Sequence, residues 1–202
     1  MRLLFALLLA ALLPACATTP PANVDNACSI FRDKKGWYAD AVKARDDWHS
    51  PIPVMLAIMH QESRFEARAK PPRRRLLGII PGPRPSDAFG YSQALNSTWK
   101  SYQRSTGRYR ASRKNFADAI HFIGWYNNES LHRSGIPRDD AYRLYLAYHE
   151  GHGGYNRGSY REKAWLQGVA GKVRARASQY QSQLAACESS LPRRRGFFGL
   201  FQ

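Results

Sequence analysis

Glu62 is the residue of this chain best placed to do chemistry. Residues 54–65, Val-Met-Leu-Ala-Ile-Met-His-Gln-Glu-Ser-Arg-Phe, read as an amphipathic helix. At about 100° of rotation per residue, Met55, Ile58, Met59 and Phe65 share one apolar stripe. Glu62 lies near the centre of that stripe, away from His60 and Arg64 on the polar face. A carboxyl group aimed at a core loses hydration, so its charged form is disfavoured and its pKa rises. Such a group keeps its proton near neutral pH and can hand it to a leaving oxygen. The competing reading is a shifted helix, with Glu62 a solvated residue near its end.

Two further segments carry polar residues among glycines. One is Gly90-Tyr91-Ser92-Gln93, continuing Ala94-Leu95-Asn96-Ser97-Thr98-Trp99. The other is Ala147-Tyr148-His149-Glu150-Gly151-His152-Gly153-Gly154-Tyr155. Gly90, Gly151 and Gly153 suit tight backbone more than contact with a ligand. By itself Gln93 also reads as a polar cap, and Tyr148 as a core tyrosine. His149-Glu150-Gly151-His152 fails the zinc-helix pattern, which needs a second His four residues after the first, where this chain has Gly153. His60 and His121 read as ordinary surface or core residues. No metal site is expected.

Taken in order, the three segments resemble the lytic transglycosylases with the soluble-lytic-transglycosylase (lysozyme-like) catalytic domain, over residues 48–184. In that family a Glu-Ser-x-Phe helix carries the one catalytic acid, a Gly-x-x-Gln turn leads into a Thr-Trp helix along the cleft, and an Ala-Tyr-Asn-x-Gly segment closes it. The resemblance implies that Glu62 is the catalytic residue and that Ser63, Tyr91, Gln93, Tyr148, His149 and Glu150 contact substrate, with Tyr148 able to bond Glu62 or the acetamido group. It implies peptidoglycan glycan strands as the partner and no cofactor. It further implies cleavage of the β-1,4 MurNAc–GlcNAc bond with formation of a 1,6-anhydro end. A hydrolytic muramidase, with Glu150 or Asp87 assisting water, and a non-catalytic wall-binding lipoprotein are the alternatives. The chain departs from the family in a basic insertion over residues 68–86, in His149 for the usual Asn, in Glu150 for a small residue, and in Tyr91-Ser92 within the turn.

The elements that must position these residues are mainly helical: the expected class is mainly α, an α+β lysozyme-like bundle around a glycan-binding cleft with at most a small β element. Helices are expected over residues 28–35 and 37–48, then from a Ser50 cap and first-turn prolines to about residue 69. Others are expected over 96–105, 112–132, from Asp139 or Asp140 to 149, and over 162–187. Residues 70–86 hold five prolines and read as a loop, with room for a hairpin in the 70–93 region. The domain is expected over residues 27–188.

The 202 residues carry a net charge of +16, which favours anionic partners. Clusters of cations fall at Arg68, Lys70, Arg73, Arg74 and Arg75 and at Arg193, Arg194 and Arg195. Residues 1–16 read as an export signal: Met1-Arg2, an apolar run over 3–13 too short to span a bilayer, then Leu13-Pro14-Ala15-Cys16. The last four residues resemble a lipobox, which makes Cys16 a lipid anchor and the chain a periplasmic lipoprotein of the outer membrane. Cleavage after Ala17 is the alternative. Export argues against nucleic acid as a partner. Residues 17–26 read as a tether and 189–202 as a basic, aromatic tail. In an oxidising compartment Cys28 and Cys187 can pair and tie the domain's ends; two unpaired thiols are the other reading.

Overall fold

In a computed structural model, residues 19–73, 75–76 and 80–192 are described; Cys16, Arg74 and the tail from residue 193 lie outside them. Among the described residues seven α-helices form the domain: α1 (Ala27–Asp33), α2 (Trp37–Trp48), α3 (Ile52–Ser63), α4 (Asn96–Thr106), α5 (Phe116–Ser134), α6 (Ala141–Asn156) and α7 (Ala164–Cys187). Strands β1 (Arg75–Leu76) and β2 (Ile80–Pro81) pair antiparallel, with Arg75 opposite Pro81 and Leu76 opposite Ile80. The architecture is mainly α, as the sequence reading has it.

Helix α3 is the axis of the domain and packs against α5, α6 and α7. Val54, Met55, Leu56, Ala57, Ile58 and Met59 are all buried. The helix is therefore apolar on nearly every side and not striped as its periodicity suggests, because neighbouring helices surround it. Ser50 does not cap it. Pro51 holds the cap position, while the buried Ser50 Oγ accepts from Asn127 Nδ2 at 2.9 Å, pinning the start of α3 to α5. The helix also stops six residues earlier than expected. Arg64 (φ 49°) and Phe65 (φ 62°) both turn left-handed, and the Phe65 ring folds back into the core. Consecutive left-handed non-glycine residues are costly; burial of Phe65 supports them here.

Local capping moves other boundaries. Helix α5 starts at Phe116, where the Asn115 side chain accepts from Asp118 N–H. Ser112 lies outside it and gives its N–H to the Asp118 carboxylate at 2.9 Å. Asp140, not Asp139, caps α6 by accepting from Arg143 N–H. Helix α6 does not end before its glycines: it kinks at Gly151 (φ 70°, ψ 157°) and continues to Asn156.

Cys28 and Cys187 are joined by a disulfide with Cα atoms 6.2 Å apart. It fastens α1 to the end of α7 and closes a loop across a separation of 159 residues. Chain-entropy arguments assign such a closure up to about 5 kcal/mol. Cys28→Ser/Cys187→Ser is expected to unfold at a lower temperature than the wild type with unchanged far-ultraviolet circular dichroism. Equal melting temperatures for the two proteins would show that the bond contributes nothing.

Candidate functional site

Three elements converge on one carboxyl group. The last turn of α3 carries Glu62, half-buried where the helix leaves the core. Burial pushes its pKa up to about 7, and the neighbouring Tyr145 phenol on α6 pulls part of the way back. No charged group among the described residues contributes to that shift. Tyr145 is itself buried, and burial next to Glu62 drives its phenol far above the ordinary range, so it is a neutral donor at every working pH.

The sequence reading gives Tyr148 a bond to Glu62 or to the substrate acetamido group; in the structure its hydroxyl is used within the protein. Tyr148 lies three residues after Tyr145 on the same face of α6. Its hydroxyl donates to the Ser92 carbonyl at 2.5 Å, although the Glu62 charge still helps push its ionisation upward, after burial. In the sequence Tyr145 looks like core, as a tyrosine in an apolar run does. The available signal was its spacing of three from Tyr148.

The turn over residues 90–93 is clamped from two sides. Ser63 Oγ donates to the Tyr91 carbonyl at 2.7 Å, and Tyr148 holds the next carbonyl, that of Ser92. Gly90 (φ 76°) is required in the turn: a Cβ there would meet the Arg113 carbonyl oxygen at 2.2 Å. Gln93, left-handed at φ 46°, donates through Nε2 to the carbonyls of Ala69 and Gly90, both at 2.9 Å. No described residue bonds its Oε1, which leaves that end of a half-buried amide for a ligand.

Several expected substrate contacts are spoken for by the protein itself. Ser63 is buried and acts as the latch just described. The Tyr91 ring is only 1% exposed and packs edge-on against Trp37 at 5.6 Å, so it serves the core and not a sugar. Burial opposes ionisation of Glu150, but hydrogen bonds from Lys163, Ser159 and His149 outweigh it and hold the carboxyl down at about 2. Lys163 Nζ lies 2.8 Å and 2.9 Å from its two oxygens. With its side chain 5% exposed, Glu150 anchors the α6–α7 connection and has no oxygen to spare for substrate or water. His149 is exposed, with its ring edge-on to Trp165 at 5.2 Å.

Among the glycines, Gly151 makes the kink. Gly153 is helical, and a Cβ there would meet only the mobile end of Arg157 at 3.3 Å, so tight backbone does not explain it. Gly154 is the crowded position, between Ser159 Oγ and Glu150 Cβ. His152 turns away from His149: it stacks on Tyr126 at 4.5 Å and shares a hydrogen bond with Ser130 at 2.9 Å. Asp87, the other acid weighed for water activation, accepts from Asn96 N–H at 3.2 Å. Among the described residues no group of three or more His, Cys, Asp and Glu is arranged to hold a metal.

Removing the Tyr145 donor while keeping its ring should raise the Glu62 pKa above about 7. A carbon-detected NMR titration of the Glu62 carboxyl in Tyr145→Phe reads this directly. A downward or null shift would dissociate Tyr145 from Glu62.

The transglycosylase SLT domain family matches this chain over residues 4–187. No curated protein and no solved structure matches it. The matched region spans nearly the whole chain and contains the Glu62 helix, the 90–93 turn and α6; the chain belongs to the transglycosylase SLT domain family.

Proposed function

We propose that this protein cleaves the β-1,4 MurNAc–GlcNAc bond of peptidoglycan strands without water, with Glu62 as acid and then base. Family membership already makes it a peptidoglycan lytic transglycosylase in general terms. One observation carries the finer reading: Glu62 is held near pKa 7 by burial, with a neutral phenol beside it and, among the described residues, no second carboxylate acting on it.

At neutral pH about half of such groups hold a proton. The protonated carboxyl donates to the glycosidic oxygen as the C1–O bond breaks. Positive charge growing at C1 is met by the sugar's own 2-acetamido oxygen. The carboxylate left on Glu62 then takes the proton of the C6 hydroxyl, and O6 bonds to C1. A 1,6-anhydro ring forms, the proton count on Glu62 is restored and no water is consumed. Tyr145 steadies the carboxylate between the two steps. Gln93, through Oε1, and His149 are assigned to substrate contact. A hydrolytic route needs a second carboxylate to activate water; Glu150 is neutralised by Lys163 and Asp87 is engaged with Asn96, so both are poor choices. In this reading the Cys16 lipid anchors the enzyme on the periplasmic side of the outer membrane, beside its substrate.

Purified sacculi test the chemistry. Wild-type protein is expected to release muropeptides one water lighter than reducing-end products, and Glu62→Gln to lose at least about 100-fold of that rate while still sedimenting with the wall. Reducing ends as the main product would replace the proposal with hydrolysis. A wild type without turnover would leave a wall-binding protein.

The proton on Glu62 also sets two pH dependences. Cleavage should decline above pH about 7 with the slope of one proton. Folded protein keeps this proton up to about 7 and unfolded chain only to about 4.5, so stability from this group is complete below 4.5 and falls as pH rises to 7. The loss is about 3 kcal/mol. Glu62→Gln escapes it, so its melting temperature should gain on the wild type between pH 4.5 and 7; a constant difference across that range would mean that Glu62 is not buried.

A further inference from the structure

The opposite face of α3 carries a second, unrelated arrangement. Ala57, His60, Gln61 and Arg64 line a cavity of about 410 Å³. They follow the i, i+3, i+4, i+7 rhythm of one helix face. Glu62 lies about 140° around the axis from Ala57, so this cavity is separate from the site above. Its other wall is α7, where Lys172, Ala175, Arg176 and Gln179 repeat the same rhythm. Small residues, Ala57 and Ala175, face into the groove and keep it open; cations stand at its rim.

The charges converge. Arg64 and Arg176 both bear on His60 and on Tyr180. Burial, then these two guanidinium groups, push His60 down, so its ring is neutral at pH 7. Three cations, Arg64, Lys172 and Arg176, stand against one nearby carboxylate, that of Asp25, which pairs with Arg176 at 3.0 Å. Two positive charges are left in excess. Among the described residues neither Arg64 nor Lys172 has an acidic partner. His60 is 9% exposed; its Nε2 lies 3.3 Å from Asp25 Oδ1, whose charge acts on the ring against the two guanidinium groups, but it completes no hydrogen bond. A buried nitrogen left unsatisfied at the floor of a cationic groove is a place for a ligand atom.

The geometry points to a phosphate-binding site between α3 and α7, with Arg64, Lys172 and Arg176 contacting the anion and His60 completing its hydrogen bonds. Forked guanidinium groups suit tetrahedral phosphate oxygens, and a dianion balances the excess charge. Phosphate oxygens are offered both by a soluble phosphoryl group, as a dianion, and by a phospholipid headgroup, as a singly charged diester that balances half of the excess.

Titration of the full chain with inorganic phosphate at constant ionic strength, followed by calorimetry, tests the site. Wild type should bind saturably. Arg64→Ala/Lys172→Ala should bind at least about tenfold more weakly. Ala175→Phe, which fills the groove at an exposed position without changing charge, should lose binding too. Lys35→Ala/Lys114→Ala, which removes two exposed cations elsewhere, should bind as wild type. Sedimentation with phosphatidylglycerol and phosphatidylcholine vesicles separates the sources: retention on the anionic vesicles that Ala175→Phe abolishes assigns a lipid headgroup, and phosphate binding with retention indifferent to Ala175→Phe assigns a soluble phosphoryl group. Absence of saturable phosphate binding, or equal binding by wild type and Ala175→Phe, overturns the site in favour of diffuse charge.

Discussion

The site depends on a carboxyl group that the fold keeps from water. Glu62 sits at the end of a helix buried on nearly all sides, and among the described residues no ionic group offsets the desolvation of its charge. A salt bridge there would return the group to an ordinary acid, as Lys163 does for Glu150 with far more to spare. The contrast between the two glutamates is one of neighbours: both are buried enough to resist ionisation, but only Glu150 has a cation and two further donors in reach. The same side chain therefore becomes a proton store in one place and a structural strut in the other.

A phenol is a suitable companion for an acid that must change charge. It stabilises the carboxylate by one hydrogen bond without forcing ionisation, and its own proton is held too tightly to be lost. Helix α6 supplies this phenol and, one turn on, the Tyr148 hydroxyl that holds the 90–93 turn. Ser63, the residue after Glu62, holds the neighbouring carbonyl of the same turn. Helices α3 and α6 are thus both registered to the turn, by Ser63 and by Tyr148.

Much of this was legible in the residues. Helix α2 runs over the expected residues 37–48 because Gly36 and His49, both left-handed, bound it. A hairpin falls in the proline-rich stretch where room was seen for one. Glu62 stands out because an acid falls on the stripe of Met55, Ile58 and Met59, although that pattern equally allows a solvated helix end. What escaped notice is tertiary. Periodicity sees one stripe on α3, whereas burial on the other sides comes from α7, distant in sequence. Ser50 looks like a cap until Asn127 reaches it, and Glu150 looks like a free acid until Lys163 arrives from thirteen residues on. The groove opposite Glu62 was invisible because its two walls come from helices over a hundred residues apart.

The bond between Cys28 and Cys187 encloses almost all of the domain, including the basic stretch that begins at Arg68. A protease that recognises arginine or lysine would find several targets there. Cutting a ring once does not divide it: the nicked protein would remain a single covalent molecule, with the Glu62 helix and α6 on separate polypeptides joined through sulfur. The arrangement gives the protein tolerance to a single break within the ring.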